Sequence, residues 1–181
     1  MGNTETIAGV LRKLSTHAER SMVIVMADQF YNSLERLLSK YFGPRQASNP
    51  KEERMEDIFS QNGALGNFRA KIDISQRLGL IDDVLASALT VVRKLRNDFA
   101  HDTNWDASFE TQSHKSRLVA LQRIVDGSAS IKRILSEHRS KSTLSDGVTF
   151  NVIAAYIFQA IERTTQNLHR TKRVPPDFIT D

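Results

Sequence analysis

The chain contains no cysteine among its 181 residues. That excludes disulfide frameworks, thiolate zinc sites and a cysteine nucleophile, and it suits a reducing compartment. Proline and glycine are scarce, at 4 and 8 residues, which leaves little to interrupt long helices. Long apolar runs are also missing. The most apolar stretch, SMVIVMA at residues 21–27, falls far short of the ~20 residues needed to cross a bilayer and sits within an amphipathic pattern. The opening residues, MGNTETIAGVLRK, lack the basic start and apolar core of a signal peptide. A cytoplasmic protein with no membrane partner is therefore expected. There is no phosphate-cradling glycine loop and no serine elbow. His17, His114, His138 and His169 have no acidic or histidine partner at metal-ligand spacing, so each reads as a surface residue, and neither metal nor cofactor is expected.

What the chain does have is helical patterning in one domain's worth of sequence. Hydrophobic residues make up 40%, charged residues 25%, and the formal net charge is +4, a mild basic excess that favours polyanionic partners without demanding them. Apolar residues recur at steps of three and four across residues 4–42, with a break expected near 17–21. Asn49, Pro50, Glu52 and Glu53 suit the start of a further helix. Another is expected from Asn67 to Gly79, then a central one capped by Asp82 with Val84, Leu85, Ala88, Val92, Leu95 and Phe99 as its buried stripe. Two short helices follow, over 116–125 and 130–139, and a long one over 146–170. Met22 and Met26 read as core or dimer interface, and Trp105 as a cover over the core. Alternation with a period of two is nowhere sustained, so the expected fold is an all-α, single-domain helical bundle over 1–172 with an irregular tail at 173–181.

The stretch RKLRNDFAHD, residues 93–102, ends the central helix. At ~100° per residue, Asn97 and His101 lie ~40° apart on one face, whereas Arg96 and His101 are separated by ~140°. An intact helix keeps Arg96 and His101 apart unless it unwinds, the guanidinium folds back, or a second copy crosses over with its own pair. Two imidazoles and two guanidiniums in a homodimer could supply the base, acid and cation for cleavage at an RNA 2′-hydroxyl. Asp98, Asp102 and the helix C-terminus would favour a cationic His101. There is a plainer alternative: cations complement the helix dipole, Asp98 pairs with Lys94, and histidine closes the helix on unbonded carbonyls.

Two resemblances bear on that choice. NGALGNFRAKIDISQRLGLI, residues 62–81, followed by a helix ending in VRKLRNDFAHD, resembles the signature of the mannitol operon repressor (MltR-like) family, from about Gly63 to Asp102. The order is a Leu-Gly turn, an apolar helix with Lys71 at a fixed place, a Leu-Gly-Leu-Ile stop, then the Arg-x4-His helix. This resemblance implies a cytosolic, all-helical regulatory protein. Arg96, Asn97 and His101 also resemble the catalytic motif of HEPN domains, which implies a metal-independent endoribonuclease, a toxin or defence effector, acting across a homodimer. Arg96, Asn97 and His101 are thus the candidate catalytic residues, and Lys71, Arg93, Asp98 and Asp102 the candidate binding residues. A homodimer is expected, with a regulatory or antitoxin protein as a further partner and RNA as a candidate ligand.

Direct sequence-specific DNA binding is not expected. A helix-turn-helix around Gly127 needs a small residue four positions before the glycine and buried residues six and nine after it. Arg123, Arg133 and Ser136 occupy those places. The basic run at 169–173 reads as a solvated helix end.

Overall fold

The computed structural model describes residues 7–43, 58–104, 107–127, 133, 136 and 145–168, with residues 7–16 described by their backbone alone. Within these the protein is an all-helical, single-domain bundle with no strand. Its helices are α1 (Ile7–Phe42), α2 (Phe68–Arg77), α3 (Asp83–His101), α4 (Gln112–Val125) and α5 (Asp146–Asn167). Arg133 and Ser136 are helical as well. The expected helix at Asn49–Glu53, Trp105, the rest of 130–139, the basic run at 169–173 and the tail lie outside the described residues.

Helix α3 is the hub, packing against α1, α2, α4 and α5. Its buried stripe of Leu89, Val92, Leu95 and Phe99 meets Phe30, Leu34 and Leu38 of α1, Leu118 and Leu121 of α4, and Ile153 and Ile157 of α5 in one continuous core. Burial of a large aliphatic or aromatic side chain contributes about 1.5–3 kcal/mol each, so the shared core outweighs any single surface contact. Phe109, from the α3–α4 connection, stands edge-on to Phe99 at 5.5 Å and also touches Phe150 at 5.6 Å.

The helix ends follow the chemistry of their caps. Asn67, Asp82 and Ser145 have extended backbones, and their side chains accept from the N–H groups of Ala70, Leu85 and Val148, satisfying donors that no helical carbonyl can reach. At the end of α2, Gly79 adopts φ +67°. The Leu80 N–H can then donate to the Ser75 carbonyl at 2.9 Å, and the Gly79 N–H to that of Gln76, a double closure that needs a left-handed residue.

Three expectations are corrected here. Helix α1 runs unbroken through residues 17–21. That segment has no glycine or proline, and its polar residues lie on exposed or half-buried faces, with Glu19 reaching across to the Phe109 N–H. Helix α4 starts at Gln112 instead of 116, because a turn closed by Thr111 N–H on the Ser108 carbonyl precedes it. Val84 is 46% exposed and drops out of the buried stripe. It sits in the first turn of α3 on the edge of an open cleft that Leu85, Tyr156 and Ile157 also line.

Candidate functional site

The segment before α2 is a series of tight turns. Gly63 N–H bonds the Ser60 carbonyl, Leu65 N–H that of Ile58, and Gly66 N–H that of Gly63. The chain folds back so closely at Gly66 that a Cβ there would lie 2.2 Å from the Ser60 carbonyl oxygen. Only glycine fits. The Gly66 carbonyl in turn accepts the Tyr31 hydroxyl of α1 at 3.1 Å, and the Phe68 ring stands edge-on to Tyr31 at 6.2 Å.

Lys71 completes this clasp. Its side chain is 0% exposed, its ammonium lies 3.3 Å from the centroid of the Tyr31 ring, and it pairs with the Glu35 carboxylate. A buried ammonium is stable only when paired and bonded, and here the partners are an anion and an aromatic face, both from α1. Lys71 therefore fixes Tyr31 and the α1–α2 packing from inside.

Tyr31 forms part of the wall of an open groove of about 410 Å³ between α1, α2 and α3. Ala27 and Asp28 join it from α1, Asn67, Phe68 and Arg69 come from the start of α2, and α3 contributes Arg93, Arg96 and Asn97. With Arg69 paired to Asp73, Arg93 and Arg96 face the single carboxylate of Asp28, so the groove is electropositive. Arg96 donates to the Asn97 Oδ1 at 3.3 Å, and the buried Nε of Arg93 has no hydrogen-bond partner among the described residues. Arg69 is paired at 3.5 Å with Asp73 on the solvent side.

His101 stands apart from that groove. It is exposed in the last turn of α3, it is absent from the groove lining, and no hydrogen bond or ion pair joins it to Arg96 among the described residues. Within one subunit, then, Arg96 and Asn97 are together with Arg93, and the imidazole is not.

Two carboxylates expected beside His101 are used elsewhere. Asp98 accepts from the Arg117 Nε of α4 at 3.1 Å, so its partner is Arg117 in place of Lys94. The tertiary contact wins because α4 packs directly along α3. Asp102 accepts from the Asn104 N–H at 2.8 Å and lies 3.8 Å from His114 Nε2.

His114 corrects the reading of it as a surface residue. It is 1% exposed, stacks on Phe99 with ring centroids 3.9 Å apart, and places Nδ1 3.0 Å from the Ser108 carbonyl, so that nitrogen carries the proton. The imidazole serves here as a flat core ring whose Nδ1–H donates to the α3–α4 connection.

Sequence reasoning missed Asp28, Tyr31, Phe68 and Arg69 as groove residues, and Glu35 as the partner of Lys71. Asp28, Tyr31 and Glu35 are more than 30 positions from the residues they meet, and no local spacing signals them. Phe68 and Arg69 carried a signal: they flank a capping Asn67 within the quoted motif.

Arg123, Arg133 and Ser136 are all exposed, as residues outside a helix-turn-helix core would be. Among the described residues no three His, Cys, Asp or Glu side chains gather as a metal site, and no helix is long and apolar enough to cross a membrane. What the arrangement can do is hold an anion: two arginines one turn apart, a third at the rim, amides alongside, and an aromatic wall locked by a buried lysine. Comparison with protein families, with curated proteins and with solved structures finds no match to this chain.

Proposed function

We propose that the chain is a cytoplasmic regulatory protein of the mannitol operon repressor kind, which acts by binding a partner protein or RNA through the groove between α1, α2 and α3 and has no helix-turn-helix. One observation carries this reading. Arg96 and Asn97 line an electropositive groove with Arg93, whereas His101 lies outside it and is not bonded to Arg96. That supplies recognition of an anion by guanidinium and amide groups, without a base and an acid positioned together.

The second reading, a metal-independent HEPN-type endoribonuclease acting as a toxin or defence effector, is favoured by a different observation. Arg93, Asn97 and His101 follow one another at four-residue steps, about 40° apart, along the open face of α3. His101, exposed at the end of that stripe, is accessible to a second copy of the chain. In such a homodimer one subunit's His101 meets its partner's Arg96. An imidazole takes the proton of the RNA 2′-hydroxyl as it attacks the adjacent phosphorus, the other protonates the departing 5′-oxygen, and the guanidiniums hold the charged phosphorane.

The two readings separate in a paired experiment. Wild-type protein, Arg96→Ala and His101→Ala, each shown by circular dichroism to be folded, are incubated with RNA in EDTA, and growth is followed on expression. The binding reading expects intact RNA and unarrested growth with all three proteins. RNA cleavage by the wild type that both substitutions abolish replaces it with the ribonuclease.

A further inference from the structure

The groove carries more positive charge than the fold uses. Arg93 and Arg96 are one turn apart on α3, and neither enters an ion pair among the described residues. The buried Arg93 Nε also lacks an acceptor. Two neighbouring guanidiniums repel, and a desolvated donor without a partner costs free energy. A carboxylate bridging the two guanidiniums offsets their mutual repulsion.

We propose that this groove is the docking site for an acidic peptide segment of a partner protein, one of whose carboxylates bridges Arg93 and Arg96. The inference rests on the partner-binding reading above and names the partner's chemistry. The groove volume of about 410 Å³ lies within the range of about 300–1,000 Å³ found for binding clefts, so it admits a short extended segment. Asp28 on the α1 wall decides between peptide and nucleic acid. A fixed carboxylate repels acidic side chains and phosphodiesters alike, but it can accept the main-chain N–H groups of a peptide, which a sugar–phosphate backbone lacks. The Oδ1 atoms of Asn67 and Asn97 already accept from Ala70 and Arg96, which leaves the amide NH₂ groups as donors for peptide carbonyls. Phe68 offers an apolar surface for a side chain between two acidic ones.

The full chain, labelled with ¹⁵N, is titrated with acetyl-Glu-Leu-Glu-Leu-Glu-amide, with its Gln counterpart, and with hexauridylate. One saturable process should move the Nε–H resonances of Arg93 and Arg96 together with the amides of Asp28 and Phe68. Binding should weaken at least tenfold for the Gln peptide and for Arg93→Gln, and it should fall as salt is raised. Asp28→Asn, an exposed substitution, should raise the affinity for hexauridylate while the arginine resonances keep their dispersion.

Equal binding of the Glu and Gln peptides, shifts confined to basic residues away from the groove, or no saturable shift overturns the proposal. Hexauridylate moving the same resonances at lower concentration than the peptide also overturns it, and assigns the groove to nucleic acid. Failure of the regulatory reading shows separately, as RNA cleavage in EDTA, whatever the peptide titration gives.

Discussion

Lys71 is the residue on which the site's geometry turns, although it does not line the groove. Its ammonium is held between the Glu35 carboxylate and the Tyr31 ring with no exposure to solvent. Removing one partner of a buried pair leaves an uncompensated charge, whereas replacing the charged group by an apolar one of similar shape is far less costly. With the Glu35 side chain 38% exposed, Glu35→Gln is expected to destabilise the protein by about 1–3 kcal/mol, and Lys71→Met by less than Lys71→Ala, which adds a cavity to the lost pair. Urea midpoints measured at pH 7 check the ordering, and a Lys71→Ala protein as stable as Lys71→Met would contradict it. Gly66 is constrained more simply. A methyl group there meets the Ser60 carbonyl at 2.2 Å, so the turn must open, and Gly66→Ala is expected to cost at least about 2 kcal/mol. Tyr31 would lose its hydroxyl partner in the same change, visible in its near-ultraviolet circular dichroism.

Among the elements, those with a strong local signal are the ones the sequence made readable. Helix α3 begins at Asp83 after its Asp82 cap and ends at His101, as its stripe and its capping residue required. Helix α2 likewise runs from an Asn67 cap to a Gly79 stop. Asp82→Ala is expected to lower stability by about 1 kcal/mol, and Gly79→Ala by a similar amount because its φ of +67° strains any residue with a Cβ. Both shifts can be measured by thermal unfolding. The long-range features were not readable, because nothing in the spacing of α1 says which of its faces receives Lys71 or the groove. His114 shows the limit most clearly: an imidazole with no partner at fixed spacing looks like surface, yet a ring stacked on Phe99 with its Nδ1 on the Ser108 carbonyl is core. Of the candidate site, the α3 residues Arg93, Arg96 and Asn97 were visible as a cluster. The opposite wall was not, since it comes from a helix about 60 residues earlier in the chain.

For the molecule as a whole, one carboxylate ties three regions together. Glu19 of α1 accepts from the Phe109 N–H at 2.9 Å, and its other oxygen lies where a Cβ on Gly147 would come within 3.3 Å. Burial pushes its carboxyl above the ordinary value of 4.5, the Phe109 N–H opposes that rise, and Asp146 and Glu110 add to it. A carboxyl with a raised value in the fold binds its proton more tightly folded than unfolded. Its contribution to stability is therefore complete below 4.5 and is lost as the pH rises through the higher folded value. Glu19→Gln keeps an acceptor for Phe109 but cannot ionise. Its melting temperature should match the wild type near pH 4 and exceed it increasingly toward pH 7. A difference that stays flat with pH would show that folding leaves the carboxyl's proton affinity unchanged, and one that reverses sign that the fold favours the charged form. The sealed position of Lys71 has a kinetic corollary as well. An amine-directed acylating reagent can reach its nitrogen only after α1 and α2 part, so the side chain acts as an internal clock for that event. For an opening free energy of about 4 kcal/mol, it should be acylated about a thousandfold more slowly than exposed lysines, a ratio that peptide mass spectrometry reads directly and that any ligand prising the two helices apart would collapse.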